Sequence, residues 1–144
     1  MPTEANKRLV RRFVDEVFVE GREDSVDELL APDFVGHTWG PQPADRDFLK
    51  AAIARVNAGL SDVSMTVEDI VAEDDRVALR LRSRARQTGE LMGMPATGRS
   101  YEIEEMHLFR VTDGRIAEHW HVADMASMQR QLGGDAPETG STGG

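Results

Sequence analysis

The chain has 144 residues, 40% of them hydrophobic, which predicts one folded domain with a sizeable core. Its formal net charge of -9 argues against nucleic acid and anionic membranes as partners. There is no cysteine, which excludes disulfides, thiolate nucleophiles and Cys-ligated zinc. No apolar run approaches the ~20 residues of a membrane span, and MPTEANKRLV lacks a signal-peptide core, so we expect a cytoplasmic protein.

Apolar residues at three- and four-residue spacing predict helices in the first part of the chain. The predicted helices are residues 4–20, ended by Gly21; a short helix from a capping box at Ser25-Val26-Asp27-Glu28 to before Pro32; and residues 45–57, with Phe48, Leu49, Ile53 and Val56 on its apolar face. Phe34-Val35 is a short extended piece, and GPQPAD at 40–45 is a loop.

After Leu60 the pattern changes to alternation, which is typical of strands. The predicted strands are residues 63–67, 77–86, 100–111 and 115–123, with a loop at GELMGMPATG and a short helix at 124–132. Helices followed by antiparallel strands predict an α+β fold with helices packed on one face of a curved sheet. We expect one domain over residues 1–133, with residues 134–144 as a disordered, low-complexity tail.

The last two strands carry most of the histidines, and the turn between them decides which side chains meet. A three-residue loop, Thr112-Asp113-Gly114, puts His107 opposite His119 and Glu105 opposite His121. These four side chains then share one face, bordered by Tyr101 and Phe109, while Met106 and Trp120 point to the other side. The alternative is a two-residue loop, Asp113-Gly114, which puts His107 opposite Trp120.

Three imidazoles beside a carboxylate can exchange protons near neutral pH. A neighbouring Glu105 would orient one imidazole, and the set could take a proton from a carbon next to a carbonyl and return it to an alkoxide. Two other interpretations stay open: these groups are hydrogen-bonded structural residues, or His107, His119, His121 and Glu105 are metal ligands.

Four further features are weaker candidates. His37, in the loop FVGHTWG, either closes over a pocket with Trp39 or is a surface loop residue. Met92 and Met94 could line the mouth of a pocket, but irregular packing is the favoured interpretation. Asp124 is either a site residue or the cap of the last helix. The arginines at 80, 82, 84 and 86 are typical of a solvated strand face, with binding of an anionic ligand group as the alternative.

Several segments in their order resemble the SnoaL-like polyketide cyclases over about residues 6–134: APDFVGH, GELMGMPATGR, EEMHLFRVTDGRI and EHWHVAD followed by RQLGG. The sharpest motifs are MGMPATGR and HLFRVTDGRIAEHW. The resemblance implies an NTF2-like cone, in which a curved antiparallel sheet and helices enclose a deep apolar pocket. It also implies closure of the last ring of anthracycline precursors by intramolecular aldol condensation, without metal or cofactor.

In the family that this chain resembles, the acid/base is an aspartate on the last strand, helped by a histidine on the strand before. The histidine falls on His107, but the aspartate position is occupied by His121. We therefore expect catalysis by His121 as base and His107 as the partner of the carbonyl oxygen, with Glu105 as orienter and Asp124 as a further candidate. The expected substrate-binding residues are Phe18, His37, Trp39, Met92, Tyr101 and His119.

The expected substrate is a small, hydrophobic, polycyclic polyketide. Hydroxylation of a similar substrate without a cofactor, as in divergent members of the family, is the alternative reaction. A protein that binds a hydrophobic ligand without reacting it is the third possibility. The resemblance also implies a homodimer or homotetramer built on the outer sheet face, where Trp120 would be buried.

Overall fold

A computed structural model describes residues 2–133, which form helices and one five-stranded mixed sheet. In chain order the elements are α1 (Thr3–Phe13), a π-helical segment (Val14–Val19), α2 (Glu23–Leu29), β1 (Leu30–Gly36), α3 (Arg46–Ala58), β2 (Leu60–Glu73), β3 (Arg76–Gln87), β4 (Ser100–Thr112), β5 (Arg115–Ala123) and α4 (Met125–Gln131). The sheet order is β1-β5-β4-β3-β2, with β1 parallel to β5 and the other neighbours antiparallel. The predicted α+β plan is confirmed, and the tail predicted at 134–144 lies outside the described residues.

The first helix changes type where it meets the sheet. After Phe13 the backbone widens into the π-helical segment. The three- and four-residue spacing of apolar residues predicts a helix here but not this change of helix type. Val14, Val17 and Phe18 are all buried there. Gly21 ends the helix with a positive φ of 68°, as predicted. Among residues 2–133, every helix falls short of the length and apolarity that a membrane span requires.

The capping box predicted for the second helix is wrong. The helix begins at Glu23, so Ser25 lies inside it and is completely buried. The Ser25 hydroxyl donates to Oε1 of Glu16 at 2.6 Å instead of capping a backbone amide. A carboxylate on the preceding helix is the stronger acceptor, because hydrogen bonds to ionised groups are roughly twice as strong as neutral ones. The helix ends before Pro32, as predicted, but the extended piece that follows is a full edge strand.

The third helix is confirmed, except that Phe48 does not lie on its buried face. Asp45 caps it by accepting from the backbone N–H of Phe48 at 2.8 Å. Leu49 and Ile53 are buried as predicted, whereas Phe48 is 42% exposed. The helix buries only a narrow stripe, so a side chain one position before that stripe faces solvent.

The hairpin between β4 and β5 has a two-residue turn, so the predicted three-residue loop is wrong. Thr112 pairs with Arg115, and the turn residues are Asp113 and Gly114. Both have positive φ, 51° and 76°, as a type I′ turn requires. Asp followed by Gly tolerates this geometry, and its twist matches that of the strands.

Neither predicted register is realised, because a β-bulge follows the turn. Ala117 has no partner on β4, and the extra residue shifts the pairing beyond it. His107 therefore lies opposite His121, and Glu105 lies opposite Ala123. Glu105, His107, His119 and His121 nevertheless share one face, as predicted, because the extra residue of the bulge places the two histidines of β5 on the inner side of the sheet.

The outer face of the sheet carries the arginine row as a solvated surface. Three of these arginines form ion pairs with acids on β2 and β4, namely Arg80 with Asp69 and Glu104, Arg82 with Glu68, Glu102 and Glu104, and Arg84 with Glu102. The side chain of Arg86 donates to the carbonyl oxygen of Gly98. The interpretation as a solvated strand face is confirmed.

Candidate active site

A band of polar side chains crosses the inner face of the sheet and separates two apolar clusters. We call it the polar band; its members are Ser83 on β3, Glu105 and His107 on β4, and His119 and His121 on β5. The larger apolar cluster contains Phe13, Phe18 and Phe109, and the smaller contains Tyr101 and Met128. Ser83, His107 and His119 are buried, which is costly for polar groups unless they are hydrogen-bonded.

Three hydrogen bonds run in series from Trp39, in the loop after β1, to Glu105 in the band. Trp39 Nε1 lies 3.2 Å from His119 Nδ1, and His119 Nε2 lies 2.8 Å from His107 Nδ1. His107 Nε2 in turn lies 2.9 Å from Oε1 of Glu105. The result is one continuous chain, from an indole through two imidazoles to a carboxylate.

Burial keeps His119 uncharged. Its ring is inaccessible to solvent and stacks on Phe109 with the ring centroids 4.6 Å apart. Removal from water, reinforced by the neighbouring histidines, lowers the pKa of His119 well below its usual range. Since the indole N–H can only donate, the neutral ring accepts at Nδ1 and carries its proton on Nε2.

His121 sits at the more open end of the band. Its Nδ1 lies 2.6 Å from the hydroxyl oxygen of Thr38, which also accepts the backbone N–H of His121 at 3.0 Å. Burial, followed by repulsion from His107, lowers the pKa of His121 to about 4, while the charge of Glu105 acts in the opposite direction. His121 is therefore a neutral base at neutral pH.

Two atoms of the band are left for a ligand. Glu105 accepts a hydrogen bond at Oε1, and His121 is hydrogen-bonded at Nδ1. The other oxygen of Glu105, Oε2, and the other nitrogen of His121, Nε2, have no partner among residues 2–133. The Glu105 side chain is 14% exposed, whereas that of His107 is 1% exposed. Met65, opposite Ser83, and Ala123, opposite Glu105, are half-buried apolar neighbours on the same face. An apolar ligand would therefore meet a carboxylate oxygen and an imidazole nitrogen.

Two surface pockets, of about 340 and 490 Å³, are lined by residues outside the polar band. One contains Arg84 and Gln131, and the other contains Asp33 and Arg115. Neither pocket has the apolar lining with a few convergent polar groups that is typical of a small-molecule site. We therefore place the candidate site at the polar band, because its side chains can exchange protons.

Two of the predicted substrate-binding residues lie beside the histidines. The ring of Phe18 is 5.5 Å from that of His107, and the ring of Trp39 is 4.8 Å from that of His121. Tyr101 lies in the smaller apolar cluster, where burial and the charge of Glu105 raise its pKa to about 12.

The remaining predicted site residues lie away from the band. His37 stacks on Trp120 at a centroid distance of 4.6 Å and contacts Glu118, so its ring faces the outer side of the sheet. Met92 is 59% exposed in the loop between β3 and β4. Asp124 is exposed, and its side chain caps α4 by accepting from the backbone N–H of Ser127.

Two residues of the site, Thr38 and Ser83, were not among those predicted from the sequence. Thr38 contacts His121 across 83 residues of sequence. Its position between His37 and Trp39, two residues already singled out, was the available signal. Ser83 interrupts the inward apolar row of β3 between Leu81 and Ala85, and such an interruption marks a polar point on a buried face.

The three histidines could each offer a nitrogen to a metal, with these atoms within 4.8 Å of one another. Two nitrogen ligands of tetrahedral zinc lie roughly 3.3 Å apart, given Zn–N bonds of about 2.0–2.1 Å. The 2.8 Å contact between His107 and His119 is shorter than that and has the length of a hydrogen bond. A metal would also have to displace the indole N–H or the Thr38 hydroxyl to use the Nδ1 atoms of His119 or His121. As arranged, the residues fit a hydrogen-bonded chain better than a metal centre.

Comparisons with known proteins agree with this architecture. A family model for SnoaL-like polyketide cyclases matches residues 8–132. The chain is 34% identical over 130 residues to the aklanonic acid methyl ester cyclase DnrD of Streptomyces peucetius, covering 87% of this chain and 88% of that protein. Among solved structures, IdmH of Streptomyces antibioticus, a proposed polyketide cyclase, superposes with a TM-score of 0.79 at 35% identity, covering 89% of this chain and 98% of IdmH. AclR of Streptomyces galilaeus, a proposed hydroxylase, gives a TM-score of 0.81 at 26% identity, covering 91% and 97% of the two chains.

Proposed function

This chain belongs to the SnoaL-like polyketide cyclase family, and on that basis we propose that it closes a ring in a polycyclic polyketide methyl ester by intramolecular aldol condensation. The observation that carries the proposal is the pair of ligand-accessible groups in the polar band, Nε2 of His121 and Oε2 of Glu105. The similarity to an ester cyclase supports the substrate class.

In this proposal His121 is the general base. When its proton lies on Nδ1 and is donated to Thr38, Nε2 is free to accept a proton from the carbon next to the substrate carbonyl. The enolate then attacks a second carbonyl carbon of the same molecule, and the imidazolium returns the proton to the alkoxide that forms. No co-reactant is consumed, and the product is an isomer of the substrate.

The strength of this base suits the position it occupies. With a pKa of about 4, His121 has the proton affinity of an ordinary carboxylate, whose pKa is about 4 in model peptides. A histidine can therefore stand where the resemblance implies an aspartate without a large change in basicity. The imidazolium differs in being cationic, so a nearby negative charge stabilises it.

Glu105 supplies that charge, and His107 holds Glu105. The Glu105 carboxylate raises the pKa of His121, which is the electrostatic signature of a stabilised imidazolium. Both ring nitrogens of His107 are already hydrogen-bonded, so donation to a substrate oxygen would break one of these bonds. We therefore assign His107 to orienting Glu105, in place of the direct contact with the carbonyl oxygen expected from the sequence.

The proposal is tested by turnover of aklanonic acid methyl ester by purified variants. We expect His121→Ala to lower kcat by roughly 10²- to 10⁴-fold, the usual contribution of a positioned base. We expect Glu105→Gln to lower it by roughly 10²- to 10³-fold, as for loss of one preorganised electrostatic contact. Glu102→Gln is the matched control, because Glu102 lies on the same strand, faces outward and pairs with Arg84. Wild-type rates in both His121→Ala and Glu105→Gln would overturn the assignment.

A second candidate reaction is hydroxylation of a similar substrate, which the similarity to AclR favours. Here the same base would form a substrate carbanion, which would add to molecular oxygen and take up a proton to give a hydroperoxide. An external two-electron reductant, such as a thiol, would then cleave the O–O bond to leave the hydroxyl group and water. Consumption of oxygen in proportion to product, and loss of turnover under anaerobic conditions, would establish this reaction in place of cyclisation. Recovery of tightly bound, unchanged substrate would instead indicate a binding protein.

We also propose that the chain forms a homo-oligomer through the outer face of the sheet. Three apolar side chains there are more than half exposed, Val71, Met106 and Val122. Leu108 and Trp120 are half-buried partners on β4 and β5, and Ala78 on β3 lies between Leu108 and Val71, so these side chains form one patch. Exposed apolar patches of this kind mark association surfaces. The cytoplasmic compartment stays a prediction that fractionation of producing cells would test.

A further inference from the structure

The direction of the hydrogen-bond chain in the polar band is set by the groups at its two ends. Hydrogen bonds between neutral imidazoles can run either way, since each ring has one donor and one acceptor nitrogen. The 2.8 Å bond between His107 and His119 is therefore compatible with two tautomeric arrangements when taken alone. The hydrogen-bond partner on the far side of each ring, Trp39 for His119 and Glu105 for His107, selects one of the two arrangements.

Reversing this bond would remove the support of Glu105. If His107 donated from Nδ1 to His119, its Nε2 would be bare and would face Oε1 of Glu105 at 2.9 Å. Two acceptors would then be in contact at the edge of a buried site, which costs the full penalty of an unsatisfied polar group. The carboxylate would be expected to rotate away.

Trp39 opposes the same reversal from the other end of the chain. Its indole N–H, 3.2 Å from His119 Nδ1, is a donor only and requires an unprotonated nitrogen there. His119 is thereby left with its proton on Nε2, which it donates to His107, and His107 donates from Nε2 to Glu105. Phe13 and Phe109 pack against the His119 ring, and a ring flip would have to displace them.

We propose that Trp39 is a positioning residue that, together with Glu105, fixes the direction of this chain and so holds the Glu105 carboxylate in its role beside His121. The inference rests on the proposed function for its catalytic consequence, but the tautomers themselves are independent of any substrate. The ring of Trp39 also lies against His121, so its removal would have two effects that a test must separate.

Nitrogen-15 NMR of the uniformly labelled full chain reports the tautomer of each histidine ring from the shifts and couplings of its nitrogens. In the wild type we expect both His107 and His119 to carry their proton on Nε2. Trp39→Phe keeps an aromatic ring but removes the donor. We expect the second tautomer of His107 and His119 to appear beside the first, which stays the major form because Glu105 still accepts from His107. Trp120→Phe is the matched control, because Trp120 lies on the outer face, and we expect it to leave both tautomers unchanged.

The kinetic consequence is measured on the same variants with aklanonic acid methyl ester. We expect Trp39→Phe to lower kcat roughly tenfold, equivalent to about one hydrogen bond, with little change in KM. A wild-type enzyme with either proton on Nδ1 overturns the proposal even if the variant does not fold. Unchanged tautomers in Trp39→Phe also overturn it, as does a wild-type kcat when the tautomers have changed. If the wild type does not turn over this ester, the proposed function fails while the tautomers still decide the direction of the chain.

Discussion

The neutral state of His121 has a consequence for stability that can be measured without a substrate. Its ordinary pKa of 6.5 applies to the unfolded chain, and folding lowers it to about 4. Between these values the unfolded state binds a proton that the folded state does not, so stability falls as the pH falls. The contribution is fully present above pH 6.5 and is lost on approach to pH 4. At 1.36 kcal/mol per pKa unit, the loss amounts to at most about 3 kcal/mol.

The assay is urea unfolding followed by tryptophan fluorescence at a series of pH values from 7.5 to 4.5. We compare the wild type with His121→Asn, whose amide can keep a polar atom near Thr38 but does not titrate. The free energy of unfolding should fall less steeply with pH in His121→Asn, by at most about 3 kcal/mol over the range. His119 adds a dependence of the same sign, but both proteins share it.

Thr38→Val is the control that separates hydrogen bonding from titration. It removes the hydroxyl that contacts His121 but leaves the imidazole buried. We expect lower stability at every pH, by about 1–3 kcal/mol, with the wild-type pH dependence retained. If His121→Asn loses stability with falling pH as steeply as the wild type does, His121 is not held neutral by the fold, and the argument for its basicity fails.

Two further predictions concern the N-terminal helices and the outer face. Hydrogen bonds from Arg12 and Ser25 lower the pKa of Glu16 from 4.5 to about 2, so its contribution to stability is present above pH 4.5 and is lost as the pH falls to about 2. The stability deficit of Glu16→Gln in urea unfolding should therefore shrink across that range, and a constant deficit would contradict the assignment. On the outer face, we expect Val122→Lys to reduce the molar mass measured by light scattering to that of a monomer, because it places a charge in the apolar patch; an unchanged mass would place the interface elsewhere.

The composition of the site was largely predictable from alternation. Side chains on a strand point to opposite faces in turn, so His119 and His121 had to share one face, as did Glu105 and His107. The resemblance to a known family identified the same strands independently. Alternation and the family motifs are both short-range patterns, and a single sequence carries these most directly.

The pairing of these strands was not predictable from the turn alone. A two-residue turn by itself would have set His107 opposite a tryptophan, and the bulge at Ala117 cancels that shift. The sequence contains a trace of the bulge, because Ile116 and Ala117 are consecutive apolar residues where alternation expects one. Whether such a pair forms a bulge depends on burial against the helices, which is a tertiary property.

By itself, then, the sequence determined the elements, their faces and the residue types of the polar band, since these follow from periodicity along one chain. Only the tertiary structure decided which atoms of the band are occupied and which are free. Trp39 and Thr38 reach His119 and His121 across 80 and 83 positions, from a loop whose path is set by the parallel pairing of β1 with β5. No local pattern encodes such contacts, because they depend on where two distant segments come together when the core is packed.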